Sequence, residues 1–518
     1  MTIELTRRNF LAASAAGLAA ATAFPIHVNA QGQKVLTVTI PSNPSTFDPI
    51  NQANHDAMVI SQLIFENLLE VDGDGNLVPM LAKDLPQVSA DGLVYTFELR
   101  DDVTFHNGRK LTAADVKYSY DFMLNPDNKA LRRSYWTAIS AVEAVSDTVV
   151  KFTLSKPNRP LLYSMTKYMG IFPAGSREEF GPEYFQNTPI GLGTGPGVFV
   201  SAVANDHVEL RRNENYWRKE TPQWDIARIR IVPEATGRLA ALLSGDVDII
   251  QPAFKDFNRL AGGSTQGVGG ASKPAFSAGM LMMHNTGAAP FDDVEFRRAV
   301  AMGIDRASIG EKVFGGLLDP TSVLVPRASR YYNSDAAEKL SYNPEKAKEH
   351  LAKSAHAGNA AFELTFPTDA YLMDVKNAVL LAQANLAEIG INVTLNPMET
   401  GQMFGQLFKG NLQTVFWAVV GTLDPTFLIQ AMYVQGQALA KVNQFNSDEL
   451  NALVDQRLAT DDEDELKTII ARIQDIIADQ APGASIGTPH AFNLFGSRVS
   501  DFAVNAGITL RLRDVKVG

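Results

Sequence analysis

The stretch LVYTFELRDDVTFHNGRKLTAADVKYSYDFML, residues 93–124, carries a strand pattern, a turn and a helix pattern in succession. Residues 95–99 alternate between apolar and polar side chains, which predicts a strand with one buried face. The HNG tripeptide at 106–108 predicts a tight turn. Thr112 and Asp115 have the spacing of a capping box, so we expect a helix to begin after Thr112. A strand that leads through a turn into a helix points to a mixed α/β protein.

The same alternation of strand and helix continues along the chain. Residues 228–250 predict a strand, a helix that ends at Gly245 and a short apolar strand. Further on, a helix from Val375 to Glu388 is expected between two strands, and the almost continuously apolar QTVFWAVV, 413–420, reads as a strand buried on both faces. The Gly- and Ser-rich stretch 261–276 is expected to be a surface loop. The sequence therefore predicts layered α/β domains.

Composition narrows the range of functions. A chain of 518 residues is too long for a single hydrophobic core, so several domains are expected. Its net charge of −11, with no dense basic run, argues against a nucleic-acid partner. Without cysteine, the chain can have no disulfide, thiolate metal site or cysteine nucleophile.

The motifs of common active sites are missing from the sequence. There is no H-x-x-x-H metal pair, no GxxxxGK[ST] phosphate loop and no G-x-S-x-G nucleophile elbow. GLGTGPG, 191–197, lacks the spacing of a dinucleotide loop and predicts a rigid turn, while VDGDGNLVP, 71–79, favours a hairpin turn over a calcium loop. We therefore expect no catalytic residues, no metal and no cofactor.

The N-terminus is typical of an export signal. Arg7 and Arg8 precede Phe-Leu and a short apolar run rich in alanine, and small residues lead to an expected cleavage after Ala30. The paired arginines indicate the twin-arginine route, so residues 1–30 are interpreted as a signal peptide that engages the twin-arginine export machinery. The mature protein is expected to be soluble, monomeric and periplasmic.

Five blocks of sequence, in order, resemble one family. They are LAKDLPQVSADGLVYTFELRDDVTFHNGRKLTAADVKYSYDF (81–122), GTGPGVFVSAVANDHVELRRNENYW (193–217), RIVPEATGRLAALLSGDVDI (230–249), NTGAAPFDDVEFRRAVAMGIDR (285–306) and YNPEKAKEHLAKSA (342–355). This pattern resembles the family 5 extracellular solute-binding proteins, the dipeptide and oligopeptide receptors of ABC importers. The resemblance covers essentially the whole mature chain.

The resemblance implies an architecture. We expect a fold like that of type II periplasmic binding proteins, with two hinged lobes of mixed sheets and an additional domain. Solute would bind between the two lobes, and closure would bury it. The implied ranges are 31–70, 190–283 and 485–518 for lobe I, 71–189 for domain II and 284–484 for lobe III, with hinge crossings near Met282–Thr286 and Ile486–Pro489.

The resemblance also indicates what the site lacks. Dipeptide receptors of the family hold the peptide amine with an Asp in the segment that matches FWAVVGTLDPTF, 416–427, but the corresponding position here is Gly421 or Thr422. They clamp the peptide carboxylate with an Arg, and the matching residue here is Asp369. A like charge cannot replace a guanidinium in a carboxylate site. A free dipeptide is therefore not the expected solute.

The remaining candidate site residues each have a structural alternative. Asn54 and His55 lie in a segment that lines the cleft in this family, but polar residues at a helix start usually cap it. Trp417 is a candidate for stacking on solute or for core packing, and Asp369 for a solute contact or a solvated loop acid. Asp424, beside a proline, is expected mainly to shape a turn. Arg297 matches a family arginine, and a structural ion pair is the expected role.

The sequence thus predicts a solute-binding receptor and not an enzyme. The expected partners are a small polar solute, peptide-like, opine-like or an oligosaccharide, and the permease subunits of an ABC importer in the inner membrane. An exported enzyme that acts on a small polar substrate is the alternative, and the absence of a cofactor motif weighs against it.

Overall fold

The computed structural model describes residues 32–52, 55–73, 75–262, 265, 267–275, 278–368, 374–420, 424, 426–460, 462–504 and 510–518. The predicted signal peptide, Asn54, Asp369, Gly421 and Thr422 lie outside these residues. Strands and helices alternate through most of the chain, as the sequence predicts.

The strands, in chain order, are β1 Val35–Ile40, β2 Leu69–Val71, β3 Leu77–Pro79, β4 Gln87–Val88, β5 Val94–Glu98, β6 Ile139–Ala144, β7 Val149–Leu154, β8 Gly197–Val203, β9 His207–Arg212, β10 Ile226–Ile231, β11 Ile249–Ile250, β12 Val268–Pro274, β13 Ala278–His284, β14 Leu318–Pro320, β15 Ala361–Pro367, β16 Asn392–Met398, β17 Thr414–Val420, β18 Gly483–Gly496, β19 Val499–Ser500 and β20 Lys516–Val517.

The α-helices are α1 His55–Ile64, α2 Ala113–Leu124, α3 Leu161–Ser164, α4 Ser176–Asn187, α5 Ala235–Ser244, α6 Phe254–Leu260, α7 Val294–Met302, α8 Arg306–Lys312, α9 Ser334–Lys339, α10 Pro344–Lys353, α11 Val375–Glu388, α12 Thr400–Leu407, α13 Phe427–Tyr433, α14 Ala438–Asn443, α15 Asp448–Ala459 and α16 Glu463–Gln480. Short 3₁₀ helices span Pro126–Asn128, Arg133–Trp136 and Ala357–Asn359.

One long strand, β18, joins the sheets of the two lobes. Its first residues pair with β13, which pairs with β17, and β15 and β16 complete that side. Its last residues pair with β11 and β12, and the sheet continues through β1, β10, β9 and β8. Parallel and antiparallel pairs occur on both sides, so both lobes have the mixed sheets that the sequence indicates.

Domain II has a separate antiparallel sheet in the order β4-β5-β7-β6. Helix α2 begins where predicted: the Asp115 carboxylate accepts hydrogen bonds from the Thr112 backbone N–H at 2.9 Å and from its hydroxyl at 3.0 Å. Strands β2 and β3 form the hairpin expected at 71–79. The turn at 191–197 leads directly into strand β8, not into a helix, which agrees with the exclusion of a dinucleotide loop.

The prediction of a surface loop at 261–276 is wrong at residues 268–274. Residues 268–274 form strand β12, which pairs with residues 490–496 of β18. Gly269 and Gly270 allow neighbouring side chains to approach the backbone closely. A Cβ added at Gly269 would lie 2.6 Å from the Phe495 ring, and one added at Gly270 would lie 2.4 Å from the Ala261 Cβ. The glycines that indicated a loop are therefore packing residues of a strand.

Strand β13 was expected at the end of lobe I. It pairs with β17 on one side and with residues 483–487 of β18 on the other. Strand β18 changes partners from β13 to β12 between Gly487 and His490. The predicted domain ranges, and the chain crossings near Met282–Thr286 and Ile486–Pro489, stay predictions.

The two faces of the lobe III sheet bury separate apolar clusters. One gathers α7, α10 and α11 around Phe291, and the other gathers α12, α13, α15 and α16 around Trp417. Lobe I and domain II share one continuous cluster, which includes Phe65 and Phe152. No helix in the described ranges combines the length and apolar character needed to cross a membrane.

Candidate functional site

A cavity of about 550 Å³ lies between lobe I and lobe III. Its lobe I wall comes from Ala235, Arg238, residues 251–255 and Phe492, and its lobe III wall from Val313, 367–368 and 374–376. The strand ends and helix starts of both lobes meet here, because β15 ends at Pro367 and α11 begins at Val375. Solute sites in open α/β sheets commonly lie at such strand ends.

The charged groups along this cavity are mostly basic. The Arg238 guanidinium is held by backbone oxygens, since it donates to the carbonyls of Gln251 and Val232 at 2.8 Å each. Burial lowers the pKa of Arg238, and the Asp56 carboxylate opposes that shift. Lys255 and Lys376 are exposed at the rim, while Asp374 caps α11 by accepting from the Asn377 backbone N–H at 3.2 Å.

Domain II also contacts lobe III. The Arg159 backbone N–H donates to the Leu458 carbonyl at 3.1 Å. The rings of Tyr135 and Phe427 meet edge to face with 5.9 Å between centroids. Burial raises the pKa of Tyr163, and the nearby Asp424 carboxylate raises it further. Residues of domain II are thus close to the turn that follows strand β17.

Asp424 holds that turn together. Its Oδ1 accepts from the Thr426 backbone N–H at 2.8 Å and from the Thr426 hydroxyl at 2.7 Å. Its Oδ2 forms a buried ion pair with Arg457, and the two side chains are 1% and 6% exposed. Both carboxylate oxygens therefore have partners within the protein, as expected of a residue that shapes a turn.

His55 and Trp417 differ in how accessible they are. His55 is the first residue of α1, its side chain is 14% exposed, and its Nδ1 lies 3.5 Å from Asp56 Oδ1. Trp417 is 4% exposed, and its ring packs against Phe404 with 5.2 Å between centroids. The structure therefore places Trp417 in the lobe III core, which was the alternative to a stacking role.

The other candidates are outside the described residues, and only their neighbours can be located. Thr368, which precedes Asp369, lines the interlobe cavity. Strand β17 ends at Val420, directly before Gly421 and Thr422, and α1 begins directly after Asn54. A solute contact by any of these four residues remains a prediction. Arg297 donates to the carbonyls of Phe291 at 2.7 Å and Gln480 at 3.0 Å, so its role is structural, with backbone oxygens as its hydrogen-bond partners.

Sequence reasoning missed a cluster of cations and tyrosines on domain II. Arg132, Tyr135, Lys167 and Tyr168 come together from the segments RRSYW, 132–136, and TKYMG, 166–170. Each segment has a basic residue within three positions of a tyrosine, and this spacing was the sequence signal that could have indicated the cluster. Its meaning depends on the tertiary contact, because the two segments are far apart in the chain.

The whole arrangement has known relatives. The sequence profile of the bacterial extracellular solute-binding proteins, family 5, middle region, matches residues 76–438, which is more than half of the chain. The chain belongs to this family. It is a solute-binding protein, and its relatives are binding proteins of ABC transporters and not enzymes.

Three relatives show how far the similarity extends. The family 5 chain is 28% identical to heme-binding protein A of Haemophilus influenzae over 475 residues, covering 85% of this chain and 84% of that protein. It is 24% identical to the glutathione-binding protein GsiB of Pectobacterium atrosepticum over 484 residues, covering 91% and 92%. The solved structure of AgaA from A. tumefaciens R10 in complex with agropinic acid superposes with a TM-score of 0.80 at 26% identity, covering 93% of this chain and 99% of AgaA. This last match identifies the fold of the family 5 protein as that of a type II periplasmic binding protein.

Proposed function

We propose that this family 5 protein captures a peptide-like, opine-like or oligosaccharide solute between lobes I and III and delivers it to the permease of an ABC importer. The observation that carries the proposal is the cavity of about 550 Å³ whose walls come from both lobes. Because β18 passes from one sheet to the other beside this cavity, rotation about the crossings would open and close it.

The proposed solute is not a free dipeptide. In this chain Asp369 occupies the expected position of the carboxylate clamp, and Gly421 or Thr422 occupies that of the amine anchor. The relatives support a broader range, because their names specify heme, glutathione and agropinic acid. Of these, glutathione is a peptide and agropinic acid an opine.

The decisive experiment is native mass spectrometry of the protein purified from its own cells, followed by calorimetric titration. Suitable probes are agropinic acid, glutathione, tetra-alanine, maltotetraose, hemin and dialanine. We expect one of the first four to bind without turnover. Tighter binding of dialanine than of the others would contradict the exclusion of dipeptides. If no probe bound and the purified protein carried no solute, the receptor role would lose its support.

Export is proposed to follow the twin-arginine route, with cleavage after Ala30 and a monomeric periplasmic product. A substitution of Arg7 and Arg8 by lysine should keep the precursor in the cytoplasm, because the twin-arginine machinery reads the arginine pair. N-terminal sequencing of the exported wild type should begin at Gln31. Normal export of the double-lysine variant would favour a different route.

A further inference from the structure

Two cations of domain II lie over one tyrosine ring. The Arg132 guanidinium carbon is 4.4 Å from the centroid of the Tyr168 ring, and Lys167 Nζ is 5.6 Å from the same centroid. Arg132 donates through Nη2 to the Gln52 carbonyl at 3.2 Å. Arg132 Nε and Lys167 Nζ are shielded from solvent and have no hydrogen-bond partner within the part of the chain that the structure describes.

The nearest segment of lobe I has an acid, but that acid is already paired. Asp48 receives two hydrogen bonds from Arg177, at 2.8 and 2.7 Å, and one from Asn51 at 3.0 Å. Burial, together with the positive charge of Arg132, lowers the pKa of Lys167 to about 8. A buried ammonium group without a counterion is unfavourable, and proteins normally pair such a group with an anion.

The cations lie where the three parts of the protein meet. The Tyr135 ring is 5.3 Å from the Tyr168 ring and 5.9 Å from Phe427 of lobe III, measured between centroids. Gln52, which accepts from Arg132, belongs to the lobe I segment just before α1. The pair is therefore close to contacts that domain II makes with lobe I and with lobe III.

We propose that Arg132 and Lys167 bind a carboxylate of the captured solute, so that the protein selects acidic solutes. The inference rests on the proposed receptor function and makes its solute class more specific. A carboxylate would supply the missing acceptors for Arg132 Nε and Lys167 Nζ, and the rings of Tyr135 and Tyr168 would contact the adjacent part of the solute. An anion bound between two cations in a site with little solvent gains more than the same contact gains in water.

The test compares acids with their neutral derivatives by calorimetry. The probe pairs are glutathione and its diethyl ester, agropinic acid and its methyl ester, and tetra-alanine and its amide. For the pair that binds, we expect the wild type to prefer the acid by about tenfold or more. Lys167→Met and Arg132→Gln should abolish this preference, and Lys167→Arg should restore most of it. Lys156→Met, which removes an exposed lysine of the same domain, is the matched control and should keep the preference.

A second measurement requires no solute. Methionine has a similar length and no charge, so Lys167→Met should raise the melting temperature of the solute-free protein if Nζ has no partner in the protein. A lower melting temperature would reveal an internal partner and would overturn the proposal. An acid preference that persists in both Lys167→Met and Arg132→Gln would also overturn it, while the receptor function would stand. If no probe binds and the protein from its own cells carries no solute, the receptor function fails and the carboxylate site fails with it.

Discussion

The buried pair of Asp424 and Arg457 predicts a large loss of stability when the carboxylate is removed. Asp424→Ala would leave the Arg457 guanidinium buried without its counterion, and breaking such a pair costs about 3–5 kcal/mol. It would also remove the acceptor of the Thr426 backbone N–H, which costs about 1 kcal/mol more. We therefore expect the free energy of unfolding of lobe III to fall by about 4–6 kcal/mol.

Lobe III has its own spectroscopic reporter. The other three tryptophans, Trp136, Trp217 and Trp224, belong to the predicted domain II and lobe I ranges, so Trp417 reports on lobe III alone. In protein labelled with 5-fluorotryptophan, the ¹⁹F resonance of Trp417, assigned with Trp417→Phe, follows its unfolding in urea. The midpoint for Asp424→Ala should move to clearly lower urea.

Two further variants separate the ion pair from other effects. In the Arg457→Met background, Asp424→Ala leaves no buried guanidinium without a counterion. The free energy of unfolding that Asp424→Ala removes should therefore be at least about 2 kcal/mol smaller in this background than in the wild type. Glu449→Ala breaks an exposed ion pair, in which the Glu449 side chain is 53% exposed and the Arg472 side chain 50%. This substitution should leave the urea midpoint unchanged. Equal costs of Asp424→Ala in both backgrounds would refute the reasoning.

Three other perturbations have definite expected outcomes. Gly193→Ala should lower the melting temperature, because its Cβ would lie 1.9 Å from the Ile64 carbonyl oxygen, whereas Gly401→Ala meets nothing within 4 Å and should be neutral or stabilising. Burial lowers the pKa of His284 to about 3, below its ordinary value of 6.5, so the folded protein keeps this ring neutral. Stability should therefore be lost as the pH falls from about 6.5 towards 3, by roughly 5 kcal/mol in all. His284→Gln should flatten this acid limb in urea titrations at several pH values, and an unchanged slope would contradict it. Asp369→Ala should weaken binding of the solute more than tenfold, about 1.4 kcal/mol. An equal dissociation constant by calorimetry would remove Asp369 from the site.

Local patterns predicted the elements well. Helix α11 spans Val375–Glu388, as expected, because an apolar stripe and a following glycine define both of its ends. Helix α5 ends at Gly245 in the left-handed conformation that favours glycine. The information for such elements lies within a few residues of the element itself.

Pairing partners could not be predicted in the same way. The apolar run of β13 fits more than one position in a sheet, and only its register shows that it lies between β17 and β18. The glycines of β12 suggest a loop until the Phe495 ring is seen against them. In both cases the deciding residue is distant in sequence, and composition within a short window gives no indication of it.

Which charged side chains are paired also depends on residues that are distant in sequence, and this pairing decides which charges are available to bind a solute. Asp424 resembles any Asp before a proline, and only the contact with Arg457 shows that the acid is already neutralised within the protein. Lys167 resembles a surface lysine, and only the fold shields its Nζ from solvent and places it with Arg132 over the Tyr168 ring, with no hydrogen-bond partner for Nζ among the described residues. The sequence directs attention to acids at the cleft, at positions 369 and 424, because carboxylates stand out in turns. Of these, Asp424 has both of its oxygens engaged, while the groups still in need of a partner are cations. A solute that satisfies them must bring its own negative charge.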